Sequence, residues 1–103
     1  MTENLLAQVR RKLNITWDDD DTNARVEDIV QSAIPAMVHK LGIADPDFDF
    51  GVPSMENNLF LAYCFYDWNH CLNEFDENYA NNIAQIRAKH EVAYYEEESS
   101  DEV

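Results

Sequence analysis

Residues 25–42 read RVEDIVQSAIPAMVHKLG. Val26, Ile29, Val30, Ala33, Ile34, Met37, Val38 and Leu41 recur at steps of three and four. That is the period of one helix face and not the alternation of a strand. The stretch therefore predicts a helix from about Asp21 to Leu41, closed by Gly42 in a left-handed cap. Pro35 lies inside the pattern. It removes one backbone donor and crowds the preceding turn, so a kink is expected there.

Upstream, Leu5, Leu6, Val9 and Leu13 mark a short first helix from about Glu3 to Leu13. Arg10, Arg11 and Lys12 fall in its last turn, where positive charge suits the helix dipole. Downstream, GIADPDFDFGVPS, residues 42–54, holds both glycines and two of the three prolines and reads as the one true loop. Ser54 follows Pro53 as the N-cap of a third helix. The centre of that helix, Leu59 to Trp68, is apolar on every side except at Asp67, so it is expected to be surrounded by the others. A polar break, NEFDEN, leads to a fourth helix from about Glu77 to Tyr95, with Tyr79, Ile83, Ile86, His90 and Tyr94 on one stripe.

The expected fold is all-α: a small four-helix domain over residues 1–95, with an aromatic-rich central helix and an acidic C-terminal tail over 96–103. The tail, EEESSDEV, is expected to lack order alone in water. A chain of 103 residues supports one modest core, and 46% hydrophobic residues suffice to fill it. Two glycines and three prolines leave few tight turns. The formal charge of −14 argues against direct binding of nucleic acid, whose phosphates it repels. The longest unbroken apolar run, Leu59 to Tyr66, is far too short for a membrane span. Glu3 and the lack of an apolar N-terminal stretch argue against a secretory leader. Together these features point to a cytoplasmic or assembly protein.

Four consecutive aspartates, Asp18, Asp19, Asp20 and Asp21, follow Trp17. A helix-loop-helix calcium site needs acids at positions 1, 3 and 5, glycine at 6 and glutamate at 12. Counted from Asp18 or Asp19, position 12 falls on Ile29 or Val30 and the match fails. A catalytic carboxyl needs partial burial to raise its pKa, which four adjacent acids at a polar helix start do not have. The run fits helix chemistry instead, with acceptors and negative charge over the first free N–H groups of the second helix. Asp18 and Asp21 have capping-box spacing, and Trp17 is expected as an apolar plug beneath them.

Asp45, Asp47, Asp49 and Glu56 fit the calcium pattern better, at positions 1, 3, 5 and 12. Phe50 stands where glycine is required, however, and Gly51 comes one residue late. Pro46 and Pro53 stiffen the segment. The preferred reading is a turn-rich connector with Phe48 and Phe50 tucked into the core, and a calcium-binding helical module is kept as an alternative.

Cys64 and Cys71 lie seven apart, about 10 Å along a helix, too far for a disulfide. With His70 they lack a second ligand cluster for zinc, so they read as two buried free thiols. His39, His70 and His90 are dispersed, and His90 sits on the apolar stripe as a core or interface residue. The chain holds no glycine-rich phosphate loop and no nucleophile elbow. Neither enzymatic activity nor a cofactor is expected.

The succession LLAQVRRKLNI (5–15), TWDDDDTNARVEDIVQSAI (16–34) and VPSMENNLFLAYCFYDW (52–68) resembles the head–tail connector, or adaptor and head-completion, family of long-tailed bacteriophages. The similarity spans roughly residues 3–75, with Pro35 and the aspartate-rich loop as departures. The resemblance implies a helical subunit forming a homo-oligomeric ring beneath the portal protein, at the head–tail junction of the virion, after synthesis in the host cytoplasm. DNA would pass through the ring without specific binding, and a tail-side connector or tail-completion protein would meet its other face. It also implies that the C-terminal segment docks onto the portal or a neighbouring ring component. Tyr94, Tyr95, Glu96, Glu97, Glu98, Asp101 and Glu102 are the candidate partner-binding residues, because aromatic residues dominate interface hot spots. Asp18–Asp21 would face the channel. A rival reading from another class is an acidic DNA-mimic inhibitor, which needs carboxylates spaced along one face like phosphates. Here they cluster at turns and at the tail.

Overall fold

The apolar periods become helices that bury one shared face. The computed structural model describes the backbone of residues 2–45 and 47–102, and the side chains of residues 5–45 and 47–92. The order is α1 (Thr2–Lys12), α2 (Asp20–Lys40), α3 (Met55–Trp68), α4 (Leu72–Asn78) and α5 (Ala80–Glu102). There is no strand among the described residues. Leu5 and Val9 of α1, Val26, Ile29, Val30, Ala33 and Met37 of α2, and Leu59, Phe60, Ala62 and Cys64 of α3 form the centre of the core. α1, α2 and α3 pack against one another around it.

Five helices stand where four were expected. The NEFDEN segment is itself helical, as α4, because Phe75 is fully buried and meets Tyr63, Tyr66 and Tyr79 at 5.3, 5.7 and 5.0 Å between ring centroids. One aromatic residue among polar neighbours shows no period, yet it suffices to dock two turns. α5 then starts at Ala80 and its backbone continues to Glu102, so the boundary expected at residue 95 falls inside a helix. Of its described side chains, Ile86 is buried and Ile83 and His90 are half-buried, while Glu91 and Val92 are exposed.

α3 is not enclosed on all sides. Phe65 is 39% exposed, and Tyr63, Tyr66, Asp67 and Trp68 are half-buried. The tyrosines keep a polar end within reach of water while their rings pack, which an all-round hydrophobic reading overlooks. Arg25 covers Trp68, with its guanidinium carbon 4.2 Å from the ring centroid, and donates to the Trp68 carbonyl at 2.8 Å.

The same device closes α1, α2 and α3. Asn14, Gly42 and His70 all take a left-handed conformation, with φ of 59°, 65° and 59°. In each case the next N–H reaches back to a carbonyl five residues earlier: Ile15 to Arg10 at 3.0 Å, Ile43 to Val38 at 3.0 Å, and Cys71 to Tyr66 at 2.9 Å. These are Schellman ends. Ile15 and Ile43 are buried, so the first two also return the chain to the core. α2 itself runs as helix through Pro35, which is exposed.

Candidate functional site

The aspartate run is a helix start, with its roles divided. Asp19, not Asp18, is the N-cap of α2: its Oδ2 accepts from the Thr22 N–H at 3.1 Å and from Thr22 Oγ1 at 2.9 Å. Asp18 Oδ1 accepts from Asn23 Nδ2 at 2.7 Å. Asp20 and Asp21 occupy the first turn, exposed, where their charge suits the positive end of the dipole. Trp17 is 49% exposed and is no plug. The cap faces solvent and offers it no cavity, so its indole Nε1 donates instead to Thr22 Oγ1 at 3.0 Å. Arg10 ties this turn to α1, donating to Asn23 Oδ1 and, at 2.6 Å, to the Trp17 carbonyl.

The acids of the 42–54 loop serve their own turns. Asp45 Oδ1 accepts from the Asp47 N–H, and Asp49 Oδ1 from the Gly51 N–H, each at 2.9 Å. Such side-chain-to-backbone bonds are how aspartate builds turns. Pro46 lies outside the described residues. The loop is held from within by Phe50, fully buried and stacked 4.8 Å from Phe60, with Phe48 5.0 Å from Phe50. Buried Asn57 completes the hold, since its Nδ2 donates to the Phe50 carbonyl at 2.6 Å and to Gln8 Oε1 at 2.7 Å.

Glu56 has another role. At 4% exposure it is the one buried charged residue among those described. Its Oε1 accepts from Lys89 Nζ of α5 at 2.8 Å, and its Oε2 lies 3.7 Å from His90 Nε2. His90 Nε2 is itself buried without a hydrogen-bond partner among the described residues, and its ring meets Phe48 edge-on at 5.9 Å. Glu56 therefore joins the start of α3 to α5 and does not join Asp45, Asp47 and Asp49. Among the described residues no group of three or more His, Cys, Asp or Glu is placed to hold a metal ion.

The cysteines are free. Cys64 is fully buried, and burial, aided by the Asp67 charge, pushes its thiol up to about 12, so it is no nucleophile. Cys71, expected to be buried, is only half-buried, because it lies past the end of α3 at the turn into α4. Its Sγ contacts the Tyr66 carbonyl at 3.5 Å, and His70 turns to Arg25, 3.2 Å from its Nη2. His39 is exposed at the end of α2, where Arg87 donates to its carbonyl at 3.0 Å and to that of Lys40 at 2.9 Å.

A groove of about 330 Å³ opens between α3 and α5, beside the last turn of α1. Of its lining, Leu59, Ala62 and Ile86 are buried, Met55 is exposed, and Lys12, Asn58, Tyr79 and Asn82 supply the polar groups. Sequence spacing did not single it out, because it joins three separate helices. The side chains of Tyr94, Tyr95, Glu96, Glu97, Glu98, Asp101 and Glu102 lie outside the described residues. No helix among the described residues is long and apolar enough to cross a membrane. Compared with known proteins, the chain matches no family model, no curated protein and no solved structure.

Proposed function

We propose that the chain is a structural subunit of a head–tail connector ring, sitting beneath the portal of a long-tailed bacteriophage and forming part of the DNA channel. The observation that carries the reading is the division of labour along the chain. Of the described side chains of α5, Ile83, Ile86 and His90 turn to the body and Glu91 and Val92 are exposed, and its backbone continues to Glu102 through the acidic segment. A helix extended in this way, with overall extents of 55 × 29 × 19 Å, suits contact with neighbours better than enclosure of a substrate. The charge supports the same role. A ring of subunits at −14 each makes a negative wall that does not hold phosphates, so DNA slides past it. The exposed Asp20 and Asp21 belong to that wall in this reading, and the C-terminal end of α5 attaches to the portal or to a ring neighbour. No catalysis is assigned.

Native mass measurement and electron microscopy of the purified chain, alone and with the portal protein of the same genome, test this. Closed rings that attach to portals are expected, with attachment weakening as salt rises because rim ion pairs are screened. A chain that stays monomeric at every concentration, with and without portal, rules the reading out.

A further inference from the structure

Five of the seven cationic side chains are already engaged. Arg25 covers Trp68, Lys40 pairs with Asp76 at 2.8 Å, Arg87 caps the carbonyls at the end of α2, and Lys89 holds Glu56. Arg10 binds Asn23 and the Trp17 carbonyl. Arg11 and Lys12 remain, both exposed at the end of α1 and with no carboxylate partner among the described residues. In a chain with 21 acids, two adjacent cations left in this way are conspicuous. Lys12 also lines the groove between α3 and α5, where Met55 is 46% exposed.

We propose that this groove receives the C-terminal end of α5 from a second copy of the chain, with Tyr94 and Tyr95 entering between Met55 and Tyr79 and the following acids meeting Arg11 and Lys12. The partner, a second copy, rests on the ring reading above. The segment has the complementary chemistry: two tyrosines, then Glu96, Glu97, Glu98, Asp101 and Glu102. The groove offers both kinds of contact, Met55, Leu59 and Ile86 for a ring and Asn58 and Asn82 as partners for a phenol hydroxyl. α5 has no basic residue in its last turn, so Asp101 and Glu102 stand against the negative end of their own helix dipole. A cationic surface from outside relieves that repulsion. The same molecule cannot supply the contact. α5 meets its own groove at Asn82 and Ile86, and Tyr94 lies about 12 Å further along a helix that does not turn back. Tail into groove is a head-to-tail contact, the kind that closes rings when the rotation permits.

The test is carbodiimide cross-linking of full-length protein mixed from isotopically light and heavy copies, together with sedimentation over a concentration series. Cross-links between Lys12 and Glu96–Glu98, Asp101 or Glu102 that mix light with heavy peptides are expected. Arg11→Glu with Lys12→Glu should weaken self-association about tenfold or more, as should Glu96→Lys with Glu97→Lys and Glu98→Lys. Mixing the two variants should restore association, because each supplies what the other lost. Circular dichroism melts identify any variant that fails to fold, and the wild-type cross-links stand without it. Undiminished association of the Arg11/Lys12 variant, or light–heavy cross-links that avoid Lys12, overturns the proposal. Closed rings joined elsewhere would sink this contact and leave the ring reading standing. Association through the groove without rings or portal attachment would do the reverse.

Discussion

Lys89 Nζ of α5 sits 2.8 Å from Glu56 Oε1 at the start of α3, and the two partners differ sharply in burial: the lysine side chain is 56% exposed and the glutamate 6%. The asymmetry sets the energetics. Removing the lysine leaves a buried carboxylate without its strongest partner, whereas removing the glutamate's charge frees a lysine that water already solvates. Lys89→Met should therefore cost about 1–3 kcal/mol and Glu56→Gln less than half as much, read from urea midpoints. Equal costs would mean that the pair behaves as a surface ion pair.

The core prediction turns on which aromatic residue is enclosed. Phe60 is fully buried and stacks on Phe50, whereas Trp68 is half-buried beneath Arg25. Phe60→Ala should cost about 3–5 kcal/mol, enough to unfold a small domain. Trp68→Ala should cost clearly less, although tryptophan is the larger residue. Denaturant melts of the two variants give the order directly, and a reversed order contradicts the packing described.

α1 and α2 were legible because each repeats its apolar residues over several turns, and α3 because Ser54 caps a continuous apolar run; α2 ends within a residue of its expected limits. α4 was not, since Phe75 alone carries its packing. The cap of α2 was legible as the Asp18–Asp21 run, but not which of its members makes the cap, and the capping-box spacing of Asp18 and Asp21 is not the one used. Which of four adjacent carboxylates folds back onto Thr22 depends on backbone angles, and Asp19 has the extended ones, φ −141° and ψ 131°. The partner of Glu56 was not legible at all. Lys89 lies 33 residues away, beyond any local spacing rule, and the local spacing of Glu56 points only to the calcium pattern kept as the alternative.

Helix ends offer a prediction with opposite signs. Gly42 and His70 share the left-handed conformation, which glycine adopts freely and a side chain does not. A Cβ at Gly42 would meet Arg87 at 3.7 Å, an ordinary contact, so the cost there is one of backbone conformation. Gly42→Ala should destabilise by about 1 kcal/mol, and His70→Gly should be neutral or stabilising by several tenths, offset by the lost approach to Arg25. Asp19→Ala should cost about 1 kcal/mol through loss of the cap, and Asp20→Ala within about 0.5 kcal/mol. Thermal melts of the four variants check these values. A stabilised Gly42→Ala would contradict the left-handed turn.

Cys64 makes stability depend on alkaline pH. Burial and, secondarily, Asp67 raise its thiol from 9.0 to about 12, because the core disfavours the thiolate. The folded pKa is therefore above the unfolded one, and the folded state binds the proton more tightly. That contribution is fully present below pH about 9 and is lost as pH rises towards 12, at up to about 1.4 kcal/mol per unit. Tyr63 and Tyr79, raised first of all by burial, add to the same alkaline loss. Cys64→Ala leaves a small cavity and should be less stable than the parent at neutral pH. Between pH ~9 and ~11 its stability should fall less steeply, so the two curves converge. Urea titrations of both proteins across that range provide the measurement. Parallel curves would mean that the thiol titrates alike folded and unfolded, and that Cys64 is not sealed in the core.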